Sequence, residues 1–137
     1  MADKQNISDD EVAVRDLIEA WADAVRRKDY TGILRSHAAD FVMFDVPPPF
    51  KSVGLEAYKK SWDLFFSWSS GPVRFEIQEM DVTAGVDVAF AFASMRCEGP
   101  GSGGKPEALD LGLTIALRKV DGRWMIAHEH HSVPAVD

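Results

Sequence analysis

The sequence first excludes several classes of protein by what it lacks. Its 137 residues include one cysteine, Cys97, so no disulfide can form within the chain. No apolar run approaches the ~20 residues that a membrane-spanning helix needs. The polar start, MADKQNISDDE, has no apolar stretch of the kind found in signal peptides. We therefore expect no membrane partner and a cytoplasmic location.

Positive charge is also scarce. Lys and Arg number 15 against 22 Asp and Glu, which gives a net charge of −7. An acidic protein repels phosphate backbones, so no nucleic-acid partner is expected. Hydrophobic residues make up 46% of the chain and charged residues 27%, as in ordinary globular proteins. With no internal repeat, the chain reads as a single domain over residues 1–137, with its core at about 8–134.

Helical signals dominate the first half. Ser8 and Glu11 form an S-x-x-E capping box. An apolar stripe at helical spacing follows, consisting of Val14, Leu17, Ile18, Trp21 and Val25. A short helix is predicted over residues 30–36, a strand over 41–46 that ends at three prolines, and a third helix over 55–67.

Strands dominate the second half. They are predicted over residues 73–82, 86–97, 108–120 and 123–132, and Asp121-Gly122 is a strong hairpin turn. In the second of these strands the large residues Val88, Phe90 and Phe92 alternate with alanines. We expect the large residues to face the helices and the alanines to face a second sheet, which predicts a homodimer built sheet to sheet. The order of elements predicts an α+β domain with helices packed on a bent sheet.

Three stretches resemble a known superfamily. They are FVMFDVPPP, SVGLEAYKKSW and LTIALRKVDGRWMIAHEHHSVP, the last containing W-x-I-x-H-x-H-x-S-x-P. Together with the element order, they resemble the nuclear transport factor 2-like superfamily, and within it the SnoaL-like and ketosteroid isomerase-like proteins. The resemblance implies a cystatin-like roll: a cone-shaped, curved, mostly antiparallel sheet wrapped around three helices, with a pocket at the open end. Such proteins are usually dimeric.

The same resemblance suggests site residues. Asp45 aligns with the general base of the isomerases, at the end of the first strand before a proline turn. Trp21 stands in place of their oxyanion-hole tyrosine, and Thr114 stands near their neutral aspartic acid. The base is matched and both donors are replaced, which argues against steroid isomerisation itself. From the residues alone, Asp45 is either a base or an aspartate that accepts backbone N–H bonds at the turn.

The histidine-rich last strand offers three interpretations. Strand period two puts Trp124, Ile126, His128 and His130 on one face. His128 and His130 would then line the pocket, with His128 as a catalytic group that titrates near neutrality. Alternatively the histidines are structural, at the core edge or the dimer interface. A metal site would need a third ligand, for which His37 and Asp45 are the candidates, and no H-E-x-x-H motif exists, so no metal is predicted.

Further residues complete the predicted pocket. Arg96 could bind a carboxylate or enolate oxygen of a ligand, pair with Asp45 or Asp110, or lie solvated at the rim. Most aromatic residues are expected in the core, and some could also wall the pocket. The remaining predicted ligand-binding residues are Phe44, Tyr58, Trp62, Phe92 and Asp110. GPGSGGK, residues 99–105, imitates a phosphate-binding loop but precedes a proline and a strand, so we interpret it as a hairpin loop.

Two functions remain open from the sequence. The first is isomerase-, cyclase- or dehydratase-type chemistry on a small hydrophobic, carbonyl-bearing molecule, with Asp45 as base and with no cofactor. The second is a non-catalytic module that binds a ligand or dimerises. Whether the protein is an enzyme, ketosteroid isomerase-like or polyketide cyclase-like, is not decided by the sequence.

Overall fold

A computed structural model describes residues 8–68, 74–99 and 107–135. The helices are α1 (Asp9–Arg26), α2 (Tyr30–Leu34) and α3 (Leu55–Trp68). The strands are β1 (His37–Phe44), β2 (Lys51–Val53), β3 (Arg74–Ala84), β4 (Val88–Gly99), β5 (Glu107–Val120) and β6 (Arg123–Ser132). Within the described ranges, no helix is long and apolar enough to cross a membrane.

The first helix forms as its sequence predicts. Ser8 is the N-cap, and its side chain accepts a hydrogen bond from the backbone N–H of Glu11 at 3.1 Å. The apolar stripe lies in the core: Val14, Ile18 and Trp21 are buried against the sheet. In the sequence, Ile7 and Val12 occupy the hydrophobic-staple positions around this cap, and Ile7 lies outside the described residues.

One curved sheet of six strands carries the fold, in the order β2-β1-β6-β5-β4-β3. Strand β1, which lies between β2 and β6, runs parallel to β6, and all other neighbours are antiparallel. The β5–β6 hairpin turns at Asp121 and Gly122, both with positive φ, as a tight two-residue turn requires. The α+β cone is confirmed. The short strand β2 was not predicted, and the GPGSGGK loop lies mostly outside the described residues.

The face assignment of β4 was wrong. Ala89 and Ala91 are buried, while Val88, Phe90 and Phe92 lie on the outer face and are about half exposed or more. The register explains the inversion, because Ala89 pairs with Leu117 and Ala91 with Ile115. Leu111, Leu113, Ile115 and Leu117 fill the core as predicted. Beside Leu117 and Ile115, the small side chains of Ala89 and Ala91 occupy the paired inward positions at this end of β4.

The last strand contains a β-bulge that also reverses a prediction. Leu117 pairs with Ile126, but the next residue of β5, Ala116, pairs with His128, so Ala127 is an extra residue. Trp124 and Ile126 therefore face the core as predicted. After the bulge the faces exchange, and Glu129 and His131 point inward, whereas His128 and His130 point outward.

A candidate active-site pocket backed by a buried histidine–glutamate network

A pocket of about 430 Å³ lies inside the cone, between α3 and the sheet. This volume suits a small organic molecule. Its walls are mainly apolar and come from α3, the start of β3, the end of β4, the start of β5 and the segment after β1. The apolar and aromatic lining residues include Trp62, Leu64, Phe65, Phe75, Leu109 and Leu111.

Two titratable polar side chains face this apolar space, Asp45 and His131. Asp45 follows β1 directly and is partly buried; its Oδ1 accepts the backbone N–H of Val46 at 2.8 Å. Two serine hydroxyls also line the pocket, but each donates its proton to a carbonyl of α3, Ser61 to Tyr58 and Ser67 to Leu64. Among the described residues that line the pocket, Asp45 and His131 therefore offer a ligand an ionisable polar partner.

Behind His131 lies a fully buried carboxylate, Glu129. His131 Nε2 lies 2.9 Å from Glu129 Oε1. The other oxygen, Oε2, accepts the hydroxyl of Tyr58 at 2.8 Å and lies 2.7 Å from His37 Nε2. Tyr58 in turn accepts the indole N–H of Trp21 at 2.8 Å. A buried charge persists only when it is paired and hydrogen-bonded, and this network supplies both conditions.

The network perturbs both titratable partners. Burial alone would raise the pKa of Glu129, but the hydrogen bonds from His131 and His37 outweigh it and lower that pKa to about 2. Burial alone would lower the pKa of His131, but the hydrogen bond to Glu129, with the negative charges of Glu129 and Asp45, raises it above its ordinary value. An ionised glutamate that holds a readily protonated histidine at a pocket is an arrangement suited to proton transfer.

Of the predicted site residues, the structure brings Asp45 and Trp62 to the pocket. Trp21 and Tyr58 do not line it, because they lie behind the pocket wall. There Tyr58 donates to Glu129, and Trp21 donates to Tyr58. The remaining predicted residues lie on the outer face of the sheet: Phe44, Phe92, Arg96, Asp110, Thr114, His128 and His130.

The outer-face residues have identifiable partners. Arg96 forms ion pairs with Asp110 at 2.8 Å and with Glu98 at 2.7 Å, so of its three interpretations the pairing with Asp110 is confirmed. His128 Nδ1 lies 2.7 Å from the carbonyl oxygen of Val42. The pocket-lining position of His128 and His130 was wrong, because the bulge at Ala127 turns both rings outward.

Cys97 lies at the pocket wall, where burial and then the charge of Asp110 raise the pKa of its thiol to about 12. At neutral pH the thiol is therefore protonated and behaves as a small apolar side chain. Within the described residues, no group of three His, Cys, Asp or Glu side chains is arranged to hold a metal ion.

Sequence reasoning missed Glu129 and His131, the two residues on which the site depends.

A family model described as the SnoaL-like domain matches residues 14–136, nearly the whole chain. The chain belongs to the SnoaL-like family. No curated protein matches it.

Solved structures place this SnoaL-like protein in the wider NTF2-like superfamily. An NTF2-like protein of unknown function from Pseudomonas putida KT2440 is 35% identical, with a TM-score of 0.82 over 91% of this chain and 87% of that one. A candidate dehydratase of the NTF2-like family from Streptomyces avermitilis is 16% identical, with a TM-score of 0.77 over 94% and 100%. The association domain of CaMKII from C. elegans is 19% identical, with a TM-score of 0.72 over 92% and 100%. The last two likenesses show the fold alone.

Proposed function

We propose that this SnoaL-like protein binds a small, mainly apolar, carbonyl-bearing molecule and catalyses proton transfer on it. The single observation that carries the proposal is that Asp45 and His131 both line an otherwise apolar pocket, with His131 held by the buried Glu129. A carbonyl-bearing ligand offers both features that such a pocket can recognise: an apolar body and one oxygen.

The chemistry follows from the two groups. Asp45 takes a proton from the carbon next to the carbonyl, and the C–H electron pair moves into the new carbon–carbon double bond. The carbonyl oxygen receives a proton from the His131 imidazolium, so that an enol forms rather than a free enolate. In isomerisation, the proton on Asp45 passes to a different carbon of the unsaturated enol, and the enol O–H proton returns to His131. In dehydration, the proton on Asp45 passes to a hydroxyl group on the neighbouring carbon, the C–O bond breaks to release water, and the enol O–H proton returns to His131.

His131 is suited to its part because its ring is fixed. Its Nε2 is held by Glu129, whereas its Nδ1 has no hydrogen-bond partner among the described residues and is left for the ligand. The raised pKa of His131 favours its protonated form, which a proton donor requires. The candidate dehydratase from Streptomyces avermitilis shares this fold.

Ligand screening with paired variants tests the proposal. Thermal-shift measurements against neutral aromatic ketones, steroids and small keto acids identify ligands, since a ligand at 100 times its dissociation constant stabilises by about 2.7 kcal/mol. For any ligand that turns over, Asp45→Asn should retain binding and lose turnover. Equal turnover by the wild type and Asp45→Asn would refute the role of Asp45.

A second candidate function, self-association, is favoured by the outer face of the sheet. Phe90 and Phe92 lie there about half exposed, beside Thr114 and the two outward histidines. The ion pair of Arg96 with Asp110 flanks this apolar region, and the exposed Asp81 of β3 pairs with Phe92 at its edge. We propose a homodimer through this face, opposite to the alanine face that the sequence suggested. The CaMKII association domain, whose name describes assembly, shares the fold.

A further inference from the structure

The carboxylate of Glu129 has a second histidine partner that the proposed reaction does not use. His37 begins β1, is buried, and lies on the side of Glu129 away from His131. Its ring packs against Tyr58 at 4.7 Å and Phe41 at 5.0 Å between centroids. Since its side chain is fully buried, His37 cannot contact a ligand in the pocket, and any effect on the reaction must act through Glu129.

Both ring nitrogens of His37 face acceptors. Nδ1 lies 3.2 Å from the carbonyl oxygen of Arg35, which has no proton to donate. Nε2 lies 2.7 Å from Glu129 Oε2, and that oxygen already accepts the hydroxyl of Tyr58. The Tyr58 proton is committed to Glu129, because the hydroxyl oxygen accepts the indole N–H of Trp21. Each His37 nitrogen therefore needs its own hydrogen to satisfy its partner.

We propose that His37 is a positioning residue: it donates one hydrogen bond from each ring nitrogen, to Glu129 and to the carbonyl oxygen of Arg35, offsets the charge of Glu129, and thereby leaves His131 free to give up and regain its proton. The proposal rests on the function proposed for His131. A neutral imidazole at position 37 would leave one nitrogen lone pair directed at a lone pair of an acceptor, inside the core, where no water can relieve the repulsion.

The consequence for His131 follows from the charges that surround it. Glu129 on β6 and Asp45 after β1 both favour its protonated form, and Cys97 on β4 is a neutral thiol. Tyr58 on α3 is also neutral, because burial and then the charge of Glu129 raise its pKa well above 10. His37 supplies the opposing positive charge. Without it, the full charge of Glu129 would act on His131 and hold it as an imidazolium, which can no longer act as a reversible acid and base.

Nitrogen-15 NMR on the wild-type protein tests the proton count directly and needs no ligand. At pH 7 both ring nitrogens of His37 should show the shifts of protonated imidazolium nitrogens. A non-protonated shift at either nitrogen overturns the proposal. Because the measurement uses the unmodified protein, it does not depend on whether a variant folds.

The effect on His131 is tested by titrating its ring protons in His37→Gln. The introduced glutamine amide would keep a donor towards Glu129 and remove the charge, so the pKa of His131 should rise by about one unit or more. The matched control is His128→Gln, which removes a histidine from the outer face and should leave the pKa of His131 unchanged. An unchanged or lowered pKa in His37→Gln overturns the proposal. Absence of turnover with any substrate would refute only the proposed function, because neither NMR measurement involves catalysis.

Discussion

Replacement of Glu129 by Gln tests the buried network most severely. The carboxylate receives three donors, from His131, His37 and Tyr58. A glutamine side chain has the same shape, but it offers one acceptor oxygen and places an N–H₂ group where the second oxygen was. At least one donor then loses its acceptor and meets another donor inside the core, and the protonated form of His131 loses its counter-charge.

Two independent arguments give the magnitude. The pKa of Glu129 is lowered from 4.5 to about 2. At about 1.36 kcal/mol for each pH unit, this corresponds to roughly 3 kcal/mol of stabilisation of the ionised form in the folded protein. Removal of one partner of a buried ion pair typically costs about 3–5 kcal/mol. We expect Glu129→Gln to lower the free energy of unfolding by about 3 kcal/mol, or the melting temperature by roughly 10 °C.

Urea unfolding at pH 7, followed by tryptophan fluorescence, measures this loss, because Trp21 and Trp62 lie in the core. Glu76→Gln is the matched control: Glu76 is exposed and pairs with Arg74 on the surface, so its loss should change the free energy by less than about 0.5 kcal/mol. A loss below about 1 kcal/mol for Glu129→Gln would show that Glu129 is not the ionised centre of the network.

Three further predictions concern the pocket and the outer face. His131→Gln should lower the free energy of unfolding most below about pH 6.5, and this loss should shrink as the pH rises. The reason is that the raised pKa of His131 makes its stabilisation a property of the protonated form. Urea unfolding between pH 5.5 and 9 measures the loss, and a loss that grows with pH contradicts the assignment. Asp45→Asn should lower the turnover rate of an accepted ketone by about 10²–10⁴-fold with little change in its affinity. Activity assays measure the turnover and calorimetry measures the affinity. A loss of affinity that accounts for the whole effect would make Asp45 a binding residue. Phe92→Lys should convert the dimer to a monomer in sedimentation experiments at micromolar concentration, because it would bury a charge at the proposed interface. An unchanged sedimentation coefficient, or a wild-type protein that is already monomeric, would show that this face does not mediate assembly.

Local signals in the sequence were sufficient for most of the fold. The Ser8 cap, the stripe on α1 and the Asp121-Gly122 turn each depend on a few neighbouring residues, and each forms as predicted. The resemblance to SnoaL-like proteins supplied the cone and placed Asp45 at the pocket. These features are readable because short-range geometry determines them.

The faces of the sheet were not readable in the same way. In β4 the rule that large residues face the core failed, because Leu117 and Ile115 of the paired strand fill the volume opposite Ala89 and Ala91. In β6 one extra residue, Ala127, reversed all later positions. A bulge depends on how β6 pairs with the neighbouring strand β5 and not on the sequence of β6 alone, so strict alternation assigned His128 to the pocket and left His131 out. The one local hint was Glu129 itself, a carboxylate among three histidines.

The central claim is that His131 and Asp45 act on neutral carbonyl compounds bound in the pocket. NMR titration of the wild-type protein with a panel of bicyclic and tricyclic aromatic ketones tests this claim most directly. The ring protons of His131 and the methyl groups of Leu109 and Leu111 should shift with a common dissociation constant, whereas those of His128 and His130 on the outer face should not. Shifts confined to the outer-face histidines, or no shift at His131 with any ketone up to millimolar concentration, would contradict the claim.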